Sequence, residues 1–163
     1  MYKTGHYGAA LLVYAPVGFM LLSVDPALAV LGGVGAVALA RLPDYDLRVP
    51  FVEHRGVTHT LLFLGLVAAV LGGCGYHAAG AFGTEPTRTA GLGVVVAVIA
   101  VVAVGSHLLA DALTPAGVPL LWPLSGRRFS ADVATASNPL ANYGLLALGM
   151  VACIAVGYVA GLV

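Results

Sequence analysis

Two stretches of this sequence hold the side chains that can do chemistry: DYDLRVPFVEHRGVTHT at residues 44–60 and GSHLLADALT at residues 105–114. His107 and Asp111 stand four residues apart, so on a helix they leave the same face. An imidazole and a carboxylate one turn apart can grip one divalent ion, or can form a hydrogen-bonded pair that ties helices together. Asp44 and Asp46 are separated by one residue, and in an extended loop both would leave one edge. Adjacent carboxylates repel, and a metal stabilises both as anions; the plainer alternative is a pair of solvated loop acids beside a proline. His54 and His59 frame HRGVTH, where Gly56 permits a tight turn and Thr58 is placed to cap a helix that carries His59 in its first turn. Arg55 lies between them, always charged, with a planar fork suited to phosphate.

With His6 near the start of the chain, the candidate ligand set is His6, Asp44, Asp46, His54, His59, His107 and Asp111. Mixed imidazole and carboxylate ligands suit zinc, manganese or iron better than calcium or magnesium. The set is larger than one tetrahedral ion needs. The surplus leaves room for one or two ions, or for outer residues that orient the inner ones. Water held by such ions becomes hydroxide near neutral pH, which is the nucleophile of hydrolysis.

The elements that must position these groups are oily. Hydrophobic residues make up 60% of the chain and charged residues 9%, with a mean hydropathy of +1.00, whereas a soluble domain carries about a quarter charged residues. Length and hydropathy together point to a single membrane-embedded, all-α domain over residues 1–163. A crossing helix needs about 20 apolar residues, and five segments approach that length: 7–24, 27–42, 57–73, 90–113 and 139–162. The second is short and glycine-rich, and Pro16 should kink the first. Gly32, Gly33, Gly35, Gly91 and Gly93 offer flat faces for close helix packing. Lys3, the apolar run from Ala9 to Val24 and the triplet Ala27-Leu28-Ala29 imitate a signal peptide; the TGH at residues 4–6 argues for a retained span instead. The seven basic and seven acidic residues balance without any basic block, which argues against nucleic acid as a partner. Cys74 and Cys153 stand alone and read as small apolar residues.

With five crossings, one side of the bilayer holds Lys3, Arg41, Arg48, Arg55, Arg127 and Arg128, and the other only Arg88. The positive-inside rule puts the N-terminus in the cytoplasm and the C-terminus outside. His6 then lies at the cytoplasmic mouth of the first span, the two loop aspartates follow the second, His54 and His59 flank the third, and His107 and Asp111 end the fourth. Only His77, placed on a short outer loop, stays apart. The histidines played no part in the topology, so their convergence is independent support for a site.

GH at 5–6, DYD at 44–46, HRGVTHT at 54–60 and SHLLADALTPAGVPLLWP at 106–123 resemble the LexA-regulated, membrane-bound metal-dependent hydrolase family of prokaryotic inner-membrane proteins. The resemblance runs to about Pro123. It implies a metal-dependent hydrolase with the seven residues above as metal positions. A site at the cytoplasmic hydrocarbon–headgroup boundary lies where a lipid's ester or phosphate sits. The expected substrate is therefore a phosphoester of a membrane lipid, with a carboxylic ester or amide as the variant. Arg55, Asp46 and His59 are the expected catalytic residues, Arg55 neutralising charge on phosphoryl oxygens. Arg127 and Arg128 are either headgroup contacts or topology anchors, and Trp122 reads as an interface residue. No Gly-x-Ser-x-Gly elbow is present to support a serine hydrolase. Two other readings remain at this stage: a protein that binds or moves divalent metal without catalysis, and a metal that merely staples the helices.

Overall fold

Helix starts follow from local chemistry. The computed structural model describes residues 1–161. Helix α1 spans Lys3–Leu22 and α2 Pro26–Leu39, followed by α3 (Leu61–Ala81), α4 (Pro86–Ala112) and α5 (Pro139–Val159). Proline occupies the first turn of α2, α4 and α5, where its missing N–H costs nothing. Asp25 accepts from the Ala27 and Leu28 amides, Thr60 from Phe63, and Asn138 from Ala141, which satisfies donors that a helix start leaves unpaired. All five helical segments are long and apolar enough to cross a membrane. The described residues contain no β-strand, only an isolated bridge between Val118 and Phe129.

The expected spans correspond one to one with these helices, with shifted ends. The second crossing reaches Arg48, because a 3₁₀ segment over Pro43–Arg48 continues α2; Asp44 and Asp46 therefore sit on a turn of helix and not on an extended loop. The third begins at Leu61, since residues 57–59 form a separate 3₁₀ turn and Thr60, not Thr58, supplies the cap. It also runs on to Ala81, which places His77 on the helix and exposed. Glycines let this helix pack closely on α4: a methyl on Gly72 would stand 2.9 Å from the Ala97 methyl of α4, and one on Gly93 would stand 3.1 Å from the Gly72 carbonyl oxygen. Gly32 and Gly33 meet the Tyr14 ring and Gly35 meets Ile99, whereas Gly91 faces open space and packs against nothing. The fifth span ends at Val159; residue 162 lies outside the described residues.

α1 and α4 form the centre of the bundle, and α3 and α5 turn most of their surface outward. Ala10, Ala36, Ala40, Ala100 and Ala103 are fully buried, so the interior is built from small side chains that bring backbones close. Tyr14, Ala29, Ala36, Ile99 and Val102 fill the middle, and the Tyr14 hydroxyl donates to the Ala29 carbonyl. Leu62, Leu66 and Val70 on α3 and Val151 and Ile154 on α5 are exposed, as suits a hydrocarbon solvent. Alternation of the helices brings the start of α1, the end of α2, the start of α3, the end of α4 and the start of α5 to one end of the bundle.

Candidate metal centre

At that end the polar side chains turn inward. His6, His59 and His107 are wholly buried, and Asp46 and Asp111 nearly so. His107 lies five residues before the end of α4, about 7.5 Å below it at about 1.5 Å per residue. The His6 and His107 rings stack with centroids 3.8 Å apart. Asp111 Oδ2 stands 3.5 Å from Nε2 of both His59 and His107, and Asp111 Oδ1 stands 3.6 Å from His6 Nε2. Asp44 faces the same point: its Oδ1 is 3.5 Å from His107 Nε2 and 3.9 Å from His59 Nε2, and its Oδ2 is 4.0 Å from His6 Nε2.

Hydrogen bonds assign the ring protons. His107 Nδ1 stands 2.8 Å from the Ala40 carbonyl, which can only accept, so Nδ1 carries the proton and Nε2 keeps its lone pair. Thr58 donates to Asp46 Oδ2 at 2.7 Å, leaving its oxygen to accept from His59 Nδ1 at 2.9 Å. His59 Nε2 is thereby also a lone pair, and it faces His107 Nε2 at 3.1 Å. Burial lowers the His59 pKa, which keeps the ring neutral. Two lone pairs pointed at each other repel unless a cation lies between them. His6 adds two buried ring nitrogens without any hydrogen-bond partner, an arrangement that native interiors avoid.

These side chains fit a divalent ion. Ligand atoms of a tetrahedral ion with bonds of about 2.0–2.2 Å stand about 3.3–3.6 Å apart, and most separations given above match. His6, Asp44, His107 and Asp111 form one group of atoms with metal-site spacing, and Asp44, His54 and His59 form another. Asp44 belongs to both.

Asp46 and Arg55 stand one step back from this point. Asp46 accepts from His54 Nδ1 at 3.0 Å, from the Arg55 amide at 3.2 Å and from Thr58, so it orients histidines. His54 is the exposed member, its side chain 39% accessible. Arg55 donates to Asp111 Oδ1 at 2.8 Å and to Thr114 Oγ1 at 2.9 Å. Its φ of 58° is the left-handed region, which costs a side-chain-bearing residue about 1–3 kcal/mol; the hydrogen bond that its backbone N–H donates to Asp46 helps to hold it. The Met1 amino group also bonds Asp111 Oδ1.

The description that matches this sequence is "YdjM inner membrane protein", over residues 1–163. The chain belongs to that family. Its place is therefore a prokaryotic inner membrane, and the match takes in α5 as well as the motif-bearing part up to Pro123. Neither the curated proteins nor the solved structures contain a match.

Within this YdjM-family chain all seven expected ligands meet at one end of the bundle, drawn from α1, the 43–48 and 54–59 segments, and α4. Sequence reasoning missed Thr58 as the link between Asp46 and His59, and Thr114 as a partner of Arg55. Thr114 lies three residues beyond Asp111, a spacing that could have suggested it. The Ala40 carbonyl, which holds His107, carries no side-chain signal at all.

Proposed function

We propose that this member of the family is a metal-dependent hydrolase of the LexA-regulated kind its motifs resemble, acting on a phosphoester of a membrane lipid. The supporting observation is the buried meeting of three imidazoles and two carboxylates beside an arginine, with two Nε2 lone pairs 3.1 Å apart. Zinc or manganese, as one or two ions, suits this donor set. A bound ion supplies Lewis-acid polarisation of a phosphoryl or carbonyl oxygen and acidification of water. The chain's own residues do the rest. Asp46, through Thr58, holds His59 in the tautomer that presents Nε2. Arg55 fixes Asp111 from behind and brings positive charge to the edge of the cluster for a phosphoryl group. It also lines a cleft of about 420 Å³ between residues 51–57 and 119–128, with Trp122 and Arg128, a place for an anionic headgroup beside Arg55. His54 stands exposed at the rim.

Six of the seven basic residues lie at the site end of the bundle, so the positive-inside rule places that end and the N-terminus in the cytoplasm and the C-terminus outside. Arg48→Cys, in a background with Cys74 and Cys153 replaced by serine, should resist a membrane-impermeant maleimide in intact cells and react after permeabilisation; rapid reaction in intact cells would reverse the orientation.

A second reading draws on the complete burial of His6, His59 and His107, which equally suits an ion held without turnover. A transport path has less support: the buried interior between the helices is mostly alanine, glycine, valine, leucine and isoleucine, with Tyr14 and Ser106 hydrogen-bonded to backbone. Mass spectrometry of an inner-membrane lipid extract, before and after incubation with the protein, separates the readings. Hydrolysis gives a water-soluble phosphate product that a chelator abolishes; bound metal with every lipid and ester intact would leave the binding reading alone.

A further inference from the structure

Beside the metal centre lies an apolar groove of about 470 Å³, and its origin is in the helix packing. α5 is drawn tightly onto α1, because a methyl on Gly8 would stand 2.3 Å from the Leu145 carbonyl carbon and one on Gly149 would stand 2.4 Å from the Gly8 carbonyl oxygen. α4 also packs on α1, whereas α5 has no extensive packing on α4. The wedge left between them is floored by Ala9 and Leu12 of α1 and walled by Leu109 of α4, Leu113 just beyond its end and Leu145 of α5. Residues 129–131 close its site end, tied to the end of α4 by the Ala131 amide on the Ala112 carbonyl and the Ser130 hydroxyl on the Thr114 carbonyl, both at 2.7 Å.

We propose that this groove seats one acyl chain of the lipid on which the metal centre acts, an inference that rests on the hydrolase reading above. The lining and the place both argue for hydrocarbon. The groove lies along the bilayer-crossing part of α4, in a family of inner membrane proteins, where lipid chains are the solvent. Its volume falls within the about 300–1,000 Å³ of sites that enclose small ligands. Its chemistry also changes in the order of an amphiphile. Apolar side chains give way at the closed end to Ser130, Thr114 and then Arg55, which bonds Thr114 and Asp111. Ala9 stands one helical turn from His6 on the same stripe of α1, and Ala110, which also lines the groove, precedes Asp111. A chain lying here therefore has its ester and phosphate end at the level of the metal centre. The exposed face of α3, equally apolar at Leu62, Leu66 and Val70, lines none of this cavity.

The test uses the full chain in nanodiscs of phosphatidylethanolamine and phosphatidylglycerol doped with a phospholipid that carries a diazirine in its acyl chain. After illumination, adducts mapped by mass spectrometry should concentrate on Leu12, Leu109 and Leu145. Ala112→Trp, which fills the groove from α4, should reduce them about tenfold with metal content unchanged. Leu109→Trp, at a side chain 61% exposed, serves if the first variant does not fold. Adducts as abundant on Leu62 and Leu66 as in the groove would overturn the proposal, and so would crosslinked dimers in place of lipid adducts, since a second copy would then occupy the wedge. Labelling needs no turnover, so groove adducts with no hydrolysis would overturn the hydrolase reading and leave a lipid seat; hydrolysis with evenly spread adducts would do the reverse.

Discussion

Asp111→Asn is expected to lose the metal and to weaken the fold in the same step. Asp111 faces His59 and His107 through Oδ2 while its Oδ1 holds Arg55 and the Met1 amino group. An amide of the same shape supplies neither the anion that a divalent ion needs nor a counter-charge for the arginine. Metal affinity should fall by more than the about 10–100-fold that outer residues of a metal site typically contribute. The Arg55 side chain is only 10% exposed, and stranding one partner of a buried pair costs about 3–5 kcal/mol. The two effects separate in measurement. Metal content reports the first, and thermal unfolding of the metal-free protein in detergent reports the second. Retention of metal by the asparagine variant would mean that Asp111 is a structural partner of Arg55 and no ligand.

Asp46→Asn should weaken metal binding by about 10–100-fold while leaving the ligand set complete. Asp46 touches the centre only through others: it takes the Thr58 proton and so decides which His59 nitrogen presents a lone pair, and it holds His54 by Nδ1. An amide can donate where the carboxylate only accepts, which frees Thr58 to turn and His59 to change tautomer. Asp44→Asn gives the contrast, because Asp44 faces His6, His59 and His107 directly. Calorimetric titration of zinc or manganese into metal-free protein checks the order. The asparagine at 44 should cost more than the one at 46, and equal losses would erase the distinction between inner and orienting carboxylates.

Much of this was legible in the residues. The apolar segments could only be crossing helices, and an odd number of them carries the starts of α1 and α3 and the ends of α2 and α4 to one face. That alternation brought His6, Asp44, His59, His107 and Asp111 together from positions as far apart as 6 and 111. The four-residue spacing of His107 and Asp111 gave their shared face directly. What the residues did not reveal was the division of labour. Asp44 and Asp46 look alike as a pair, and only the 3₁₀ turn over Pro43–Arg48 sends one to the centre and the other to Thr58 and His54. Arg55 reads as a free phosphate ligand because its ion pair with Asp111 spans 56 residues, a tertiary contact that no local pattern encodes. The third helix likewise runs past residue 73 to Ala81, a length set by tertiary packing in which Gly72 meets Gly93 of α4.

The central claim is that four separate segments share one buried cation site. Elemental analysis of the purified protein, combined with X-ray absorption at the edge of the metal found, tests it most directly. The account predicts at least one zinc or manganese ion per chain, in a shell of imidazole nitrogens and carboxylate oxygens that His6→Ala and His107→Ala each deplete. A chain that binds neither metal after reconstitution, or one whose bound metal shows no histidine scattering, would contradict it.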